Sequence, residues 1–350
     1  MSNPRTDSPS TTADAARFDR ALGAFYGLAL GDAFGMPTQS LSREAIRARF
    51  GRITRLVDAG PDQPIAPNLR AGSITDDTEQ AVLVAQLLVD GHGTIAPLEF
   101  ARRLIAWEAD MKARGSLDLL GPSTRRATQA IVDGEDVTRA GRFGTTNGAA
   151  MRVTPVGIAT PLDAPEAFVD AVVGSCLVTH NTTLGIASAA AVAAAVSAGI
   201  DGAPLAEALE AGAVFAELGE RRGYWVAGAR IGARIRWAAE LAARHTGEAL
   251  ADRLVDVVGT SVASQESVVA AFALAHDAAR RATDVADSLA TAASLGGDTD
   301  TIAAMLGAML GACAGYHALP REPVETVRRV SALDLDALTR QLLALRTARG

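Results

Sequence analysis

Apolar residues recur along this 350-residue chain at steps of three and four positions. Phe18, Leu22, Phe25 and Ala29 follow this spacing, which places them on one face and predicts an amphipathic first helix. The helical period continues through nearly the whole chain, and convincing strand patterns are almost absent. Residues 53–57 form the one short segment that could be extended. The pattern therefore predicts an all-α protein.

Three segments are apolar over most of their length. Asp76–Val89 becomes almost continuously apolar after an acidic first turn, and 184–200 and 302–316 are rich in Ala, Gly and Leu. The last two are shorter and less apolar than a membrane span, which needs about 20 predominantly apolar residues. We therefore expect buried core helices. Gly307 and Gly311 lie four positions apart on one helical face, which predicts that a second backbone approaches closely there.

No linker or internal repeat divides the chain, and its connections are short. We expect one compact orthogonal helical domain over residues 15–350. Residues 1–14 are polar and rich in Ser and Thr, and they lack the apolar segment of a secretory signal. This segment is predicted to be a disordered tail.

Composition narrows the possible functions. The formal net charge is −7 and the pI is near 5.3, which argues against a nucleic-acid-binding surface. Cys176 and Cys313 both lie in apolar surroundings, as expected of buried free thiols in a reducing compartment. We therefore expect a cytoplasmic protein without nucleic-acid or membrane partners.

The first acidic cluster is Thr75-Asp76-Asp77, at the predicted start of a helix. Capping by Thr75 and the helix dipole would by themselves explain acids at this position. Consecutive side chains on a helix point about 100° apart, however, so two adjacent acids do not serve one cap. They can instead reach towards two neighbouring cations.

The second cluster, Asp298-Thr299-Asp300-Thr301, follows Gly296-Gly297, where the chain can turn sharply. One cap needs a single such side chain, so a run of four favours metal ligation over capping. Carboxylate and hydroxyl oxygens are the ligands that Mg²⁺ and similar hard cations prefer. Because the two clusters lie more than two hundred positions apart, they would form one metal site only through the fold.

Two further segments carry weaker signals. The Gly-rich run 141–148 could expose backbone N–H groups to a phosphate, but it matches neither the P-loop nor the dinucleotide-binding pattern. His180 lies in the polar run 179–183 within apolar sequence. Both a structural and a functional role remain open for this histidine.

Taken together and in this order, five segments resemble the ADP-ribosylglycohydrolase family. They span nearly the whole chain, and their combination is far more specific than any one of them. These segments are 27–37 (GLALGDAFGMP), 75–78 (TDDT), 147–152 (NGAAMR), 179–180 (TH) and 296–303 (GGDTDTIA).

The resemblance implies an all-α domain with a central cleft that holds two divalent cations, Mg²⁺ or Mn²⁺. It also implies hydrolysis at the anomeric carbon of a ribose in an ADP-ribosyl or ribosyl small molecule or a modified protein. The cations would activate a water molecule, and Asp77 and Asp298 would be the catalytic carboxylates. The metal ligands would be Thr75, Asp76, Asp77, Asp298, Asp300 and Thr301. The substrate-binding residues would be Gly144, Thr145, Asn147, Gly148, Met151 and His180.

One position departs from the family pattern. The family commonly has a Glu two residues beyond the Pro of the first motif, and this chain has Gln39 there. An amide retains an acceptor oxygen but carries no charge, so it cannot act as a base. Hydrolysis of another N-riboside, such as a nucleoside, is therefore an alternative. A non-catalytic, crystallin-like role is a second alternative, although buried like charges would then lack a neutralising cation.

Overall fold

The structure is a computed structural model that describes residues 9–117 and 120–349. Over these residues the chain forms eighteen α-helices and no β-strand. Two isolated β-bridges, Thr146–Ala263 and Thr182–Tyr224, join loops. The segment 53–57 is irregular. The all-α prediction is therefore confirmed.

The helices are short apart from α1, α4, α10, α14 and α16. Their bounds are α1 Pro9–Gly35, α2 Arg43–Phe50, α3 Asp76–Asp90, α4 Pro97–Ala113, α5 Pro122–Val132, α6 Val137–Ala140, α7 Gly148–Met151, α8 Thr154–Ala159, α9 Pro165–Cys176, α10 Thr183–Ile200, α11 Leu205–Gly219, α12 Ile231–Arg244, α13 Gly247–Arg253, α14 Ser264–Arg281, α15 Val285–Ala293, α16 Thr299–Ala314, α17 Arg321–Val330 and α18 Asp336–Arg349. Short 3-10 turns occupy Met36–Thr38 and Tyr316–Ala318, and a π-turn occupies Leu254–Val258.

Helices α1 and α16 pack against each other in opposite directions, with their backbones almost in contact. A Cβ added at Gly27 would lie 2.2 Å from the carbonyl oxygen of Gly307, and one added at Gly23 would lie 2.4 Å from that of Gly311. Such distances are well below van der Waals contact, so only glycine permits this packing. The predicted role of Gly307 and Gly311 is thereby confirmed.

Helix α10 forms the centre of the core and packs against α8, α11 and α16. It is long and apolar enough to cross a membrane, but 94% of its length is buried within the protein. That burial is typical of a core helix. Cys176 is buried and Cys313 is half-buried, and both are free thiols, as expected.

The expected tail is shorter than predicted. Helix α1 begins at Pro9, so residues 9–14 are helical, and residues 1–8 lie outside the described part of the chain. The prediction of disorder is therefore wrong for 9–14. Ala13 and the following Ala15 and Ala16 favour a helix, and Arg17 approaches Asp14 one turn away at 4.0 Å.

Candidate active site

The two acidic clusters meet at the starts of α3 and α16. Thr301 Oγ1 donates a hydrogen bond of 3.2 Å to Asp77 Oδ2, although these residues lie 224 positions apart in the sequence. Thr75 caps α3 by accepting a hydrogen bond from the Asp77 backbone N–H at 3.4 Å. The fold therefore brings together the two clusters that the sequence indicated.

Asp32 of α1 fixes the start of α3. Its buried carboxylate accepts hydrogen bonds from the backbone N–H groups of Thr75 and Thr78, at 3.0 and 3.2 Å. It also accepts from the hydroxyls of the same two threonines, at 2.8 and 2.5 Å. Asp32 lies in the first family motif, but no role was expected for it. A single acid in the otherwise uncharged second half of α1 was the signal that could have identified it.

The start of α16 is held by a tight turn. Gly296 and Gly297 have positive φ angles of +87° and +79°. A Cβ at Gly297 would lie 2.3 Å from the carbonyl oxygen of Thr260. Gly297 also accepts a 2.7 Å hydrogen bond from the backbone N–H of Ser40. The predicted sharp turn is therefore present, and it fixes Asp298 beside the segment that contains Gln39.

A cavity of about 290 Å³ opens beside these helix starts. Seven residues expected at the site line it, namely Asp76, Asn147, Gly148, Met151, Asp298, Asp300 and Thr301. Other lining residues include Gln39, Ser40, Ile65, Thr124, Arg125, Thr146 and Val262. The cavity thus has an acidic wall from α3 and α16 and a second wall from the 146–151 segment and α5.

The remaining predicted residues lie behind these walls. Thr75 and Asp77 are buried at the α3 start, and a Cβ at Gly144 would lie 2.1 Å from the carbonyl oxygen of Thr179. Thr145 is half-buried, and its carbonyl oxygen accepts the backbone N–H of Ser264.

His180 is fully buried and does not line the cavity. Its Nε2 lies 2.9 Å from Thr146 Oγ1, and its Nδ1 lies 2.8 Å from Thr179 Oγ1. Both ring nitrogens are therefore occupied by neighbouring hydroxyls. The structure places His180 beneath the loop and not at the surface that a substrate would contact.

Asn147 links the loop to the acidic wall. Its Nδ2 donates to Asp298 Oδ2 at 2.5 Å and to Ser267 Oγ at 2.8 Å. Arg125, an exposed residue of α5, also lines the cavity and was not identified from the sequence. Its guanidinium donates to the carbonyl oxygen of Leu120 at 2.8 Å. No local motif surrounds Arg125, because only the packing of α5 brings it to this site.

Burial and crowding keep the acids of this site from ionising normally. Desolvation is the largest cause that raises the pKa of Asp77 well above its usual range, followed by the charges of Asp300 and Asp76. Desolvation also raises the pKa of Asp298 to about 6, against the opposing hydrogen bond from Asn147. The pKa of Asp32 rises to about 6 for the same reason. A cation close to these carboxylates would lower their pKa values and favour the charged state.

The donor set fits a hard divalent cation. Asp77 Oδ1 is buried and has no hydrogen-bond partner among the described residues, which is costly for a carboxylate oxygen. Carboxylate and hydroxyl oxygens surround it, as Mg²⁺ or Mn²⁺ requires. Among residues 9–117 and 120–349, no group of three or more His, Cys, Asp or Glu side chains is arranged so that it could already hold a metal ion. The fit therefore rests on donor chemistry and on the orphaned oxygen.

Sequence comparison identifies the class of protein. The model of the ADP-ribosylglycohydrolase family matches residues 13–350. An uncharacterised protein of Escherichia coli (strain K12), YegU, is 33% identical over 332 residues, covering 95% of this chain and 98% of the relative. The chain therefore belongs to the ADP-ribosylglycohydrolase family and is an enzyme of that hydrolase class.

Relatives with named activities are more distant. The ADP-ribosyl-[dinitrogen reductase] glycohydrolase of Rhodospirillum rubrum is 30% identical over 170 residues, covering 49% of this chain and 54% of the relative. The ADP-ribosylarginine hydrolase Tri1 of Pseudomonas putida (strain GB-1) is 26% identical, covering 93% and 82%.

The solved structures agree with this assignment. A chain described as an ADP-ribosylglycohydrolase-related protein complex superposes with a TM-score of 0.68 at 26% identity, covering 95% of this chain and 99% of that chain. The family prediction made from the five motifs is thus confirmed, as is the all-α fold.

Proposed function

We propose that this enzyme uses two divalent cations to hydrolyse the bond between the anomeric carbon of ADP-ribose and a side chain of a modified protein. The observation that carries the proposal is the meeting of two acidic helix starts, with Asp77 Oδ1 orphaned, beside a cavity. The named activities of the relatives in Rhodospirillum rubrum and Pseudomonas putida support an ADP-ribosylated protein as the substrate.

The residues that would hold the cations come from both helix starts. When bound, the cations would polarise ribose hydroxyls and lower the pKa of a coordinated water. We assign the ligands as Thr75, Asp76, Asp77, Asp298, Asp300 and Thr301.

The protein's own acids would handle the proton. Asp298 lines the cavity, whereas Asp77 lies buried behind it, so Asp298 is the better placed to accept a proton from the attacking water. Asn147 holds one oxygen of Asp298 through its 2.5 Å hydrogen bond, which keeps the carboxylate aimed at the cavity. Negative charge on this wall would also stabilise the positive charge that builds on the ribose ring as the bond breaks.

The opposite wall would bind the rest of the substrate. Asn147, Gly148 and Met151 line the cavity together with Arg125, whose guanidinium is suited to a phosphate oxygen. We propose that this wall holds the diphosphate and the distal ribose. His180 and Gly144 would support the loop from behind without contacting the substrate.

The decisive experiment is a hydrolysis assay on a panel of substrates. Purified protein is incubated with ADP-ribosyl-arginine, ADP-ribosyl-serine, O-acetyl-ADP-ribose and plain nucleosides, with Mg²⁺, with Mn²⁺ or with EDTA. We expect release of ADP-ribose only when a divalent cation is present, and Asp300→Asn should abolish it. Asp256→Asn, which alters an exposed acid that does not line the cavity, is the matched control and should retain activity.

A second assay asks whether the cations bind at all. Melting temperature should fall with EDTA and recover with Mg²⁺ or Mn²⁺, because a ligand that binds only the folded state stabilises it. Asp300→Asn should remove this response. Melting that ignores chelation and metal in the unaltered protein would contradict the two-cation site, whatever the substrate.

Gln39 is the observation that favours a second candidate, hydrolysis of an N-riboside such as a nucleoside. Gln39 lines the cavity with 6% of the residue exposed, and its Nε2 is buried without a partner among the described residues. A neutral amide in this position favours a substrate other than the usual one. Release of a free base from nucleosides, with ADP-ribosyl substrates untouched, would select this alternative.

A further inference from the structure

A chain of hydrogen bonds runs from the protein interior to the cavity wall. Arg152, which is fully buried, contacts Thr179 Oγ1 through its Nη2 at 2.5 Å. Thr179 Oγ1 lies 2.8 Å from His180 Nδ1, and His180 Nε2 lies 2.9 Å from Thr146 Oγ1. Thr146 lines the cavity. Four side chains therefore form one continuous path.

The hydrogen bond from Arg152 to Thr179 fixes the direction of the hydrogen bond between Thr179 and His180. A guanidinium can only donate hydrogen bonds, so Thr179 Oγ1 accepts from Arg152. Thr179 is fully buried, and its hydroxyl hydrogen has no acceptor among the described residues except His180 Nδ1. A buried donor without an acceptor is strongly disfavoured. Thr179 therefore donates to Nδ1, and Nδ1 carries no hydrogen.

The direction of the hydrogen bond between His180 and Thr146 follows from the charge of the imidazole. Burial, which is the largest cause, and the nearby charge of Arg152 both lower the pKa of His180 well below its ordinary value. The ring is therefore neutral and carries one hydrogen. Since Nδ1 accepts, that hydrogen is on Nε2, and His180 donates to Thr146 Oγ1.

This direction leaves the hydroxyl hydrogen of Thr146 for a partner outside the chain. Among the described residues, Oγ1 of Thr146 has no hydrogen-bond partner other than His180. Its backbone is fixed, because its carbonyl oxygen accepts from Ser264 Oγ at 2.8 Å and its N–H donates to Ser123 Oγ at 3.4 Å. The hydroxyl can rotate, but the side chain stays at the cavity wall.

We infer that Thr146 is a substrate-binding residue whose hydroxyl, oriented by the path from Arg152 through Thr179 and His180, donates to an oxygen acceptor of the substrate. The acceptor is a phosphate oxygen or a ribose oxygen, since ADP-ribose presents both. The inference rests on the proposed function for the identity of this substrate. The orientation of the hydrogen bonds along the path is independent of the proposed function, because it depends on protein groups alone.

The orientation is tested by NMR of the protein with ¹⁵N-labelled histidine. The His180 ring signals are assigned from the spectrum of His180→Gln. We expect a neutral ring with its hydrogen on Nε2, and Thr179→Val should weaken that tautomer preference. A ring protonated at neutral pH, or one with the hydrogen on Nδ1 in the unaltered protein, would overturn the inference.

The contact with substrate is tested by calorimetry with ADP-ribose in the presence of Mg²⁺. Thr146→Val keeps the shape but loses the donor, and it should weaken binding about tenfold, in line with the loss of one hydrogen bond to a substrate group. Thr146→Ser keeps the hydroxyl and should bind within about twofold of the unaltered protein. Loss of ADP-ribose affinity without loss of adenosine affinity would identify a phosphate oxygen as the acceptor, and equal loss would identify an oxygen of the nucleoside.

A double-mutant cycle separates the oriented path from simple packing. Thr179→Val should also weaken ADP-ribose binding, but it should add little in the Thr146→Val background because it acts through the same hydroxyl. If the unaltered protein binds ADP-ribose and Thr146→Val binds it equally well, the inference is wrong and the proposed function stands. If the unaltered protein does not bind ADP-ribose, the proposed function fails, and the tautomer measurement still decides whether the path is oriented.

Discussion

Replacing Asp298 by Asn should make the cation-free protein more stable at neutral pH while removing its response to cations. The substitution keeps the size of the side chain and leaves an oxygen that can accept the hydrogen bond from Asn147. It removes a carboxylate that the protein buries among other acids without a counter-ion. A residue that we propose as a metal ligand would thus destabilise the unliganded fold.

The magnitude follows from the pKa. Burial raises the pKa of Asp298 from 3.8 to about 6. At about 1.4 kcal/mol for each pH unit, that difference corresponds to about 3 kcal/mol. Because the folded-state pKa exceeds the unfolded-state pKa, the contribution to stability is fully present below pH 3.8 and is lost as pH rises through 6. The figure is an upper bound, since Asp298 lines the cavity and retains some contact with water.

The assay is thermal unfolding in EDTA at several values from about pH 4 to about pH 7.5, the window set by the two pKa values. Near pH 4 the variant and the unaltered protein should melt alike, because the carboxyl is neutral in both the folded protein and much of the unfolded chain. By pH 7.5 the variant should be the more stable, by up to about 3 kcal/mol. Added Mg²⁺ should stabilise only the unaltered protein.

Two outcomes would refute this reasoning. Equal stability at every pH would mean that the Asp298 carboxylate is solvated and not forced towards its neutral form. A variant that is less stable in EDTA at pH 7.5 would mean that the charged carboxylate has partners that stabilise it without a cation. Asp256→Asn is the control for generic effects of removing a negative charge, and it should not change the pH profile.

Two other predictions concern packing and Gln39. Gly27→Ala should lower the melting temperature, with a cost of about 1–3 kcal/mol or more, because its Cβ would lie 2.2 Å from the Gly307 carbonyl oxygen. Gly174→Ala on α9, whose Cβ would meet nothing within 4 Å, should instead stabilise the folded protein by about 0.5–1 kcal/mol. Equal shifts in melting temperature for the two variants in calorimetry would contradict the packing argument. Gln39→Glu should tighten divalent-cation binding in titration calorimetry, because a carboxylate beside the cation remains ionised; unchanged affinity would place residue 39 too far away to matter.

Features that arise from local chemistry could be predicted from the sequence. The Gly296-Gly297 turn and the caps at Thr75 follow from the conformational freedom of glycine and the hydrogen-bonding capacity of a hydroxyl. The glycines at 307 and 311 share a helical face by spacing alone, so a close backbone contact was predictable. The meeting of the two acidic clusters was expected from their shared chemistry, because both carry the carboxylate and hydroxyl oxygens that one hard-cation site would need.

Features that depend on distant partners were harder to predict. Arg125 enters the cavity only because α5 packs beside it, and nothing in its local sequence distinguishes it. The family resemblance implied that His180 binds the substrate, whereas the polar run around it left both a structural and a functional role open. In the structure one residue of that run, Thr179, contacts Nδ1, and Thr146, which is distant in sequence, contacts Nε2. A polar run can therefore indicate an internal network as readily as an exposed site.

Helix α1 fixes the positions of both acidic helix starts, those of α3 and α16. Its Asp32 holds the start of α3 through the backbone and hydroxyl groups of Thr75 and Thr78. One turn further on, a Cβ at Gly35 would lie 2.4 Å from the backbone N and Cα of Asp300, so α1 also sets the position of the α16 start. The same rigid element thus positions both acidic clusters on one wall of the cavity. Because the glycines of α1 leave α16 no room to shift, the acids are kept at a separation that their mutual repulsion would otherwise increase.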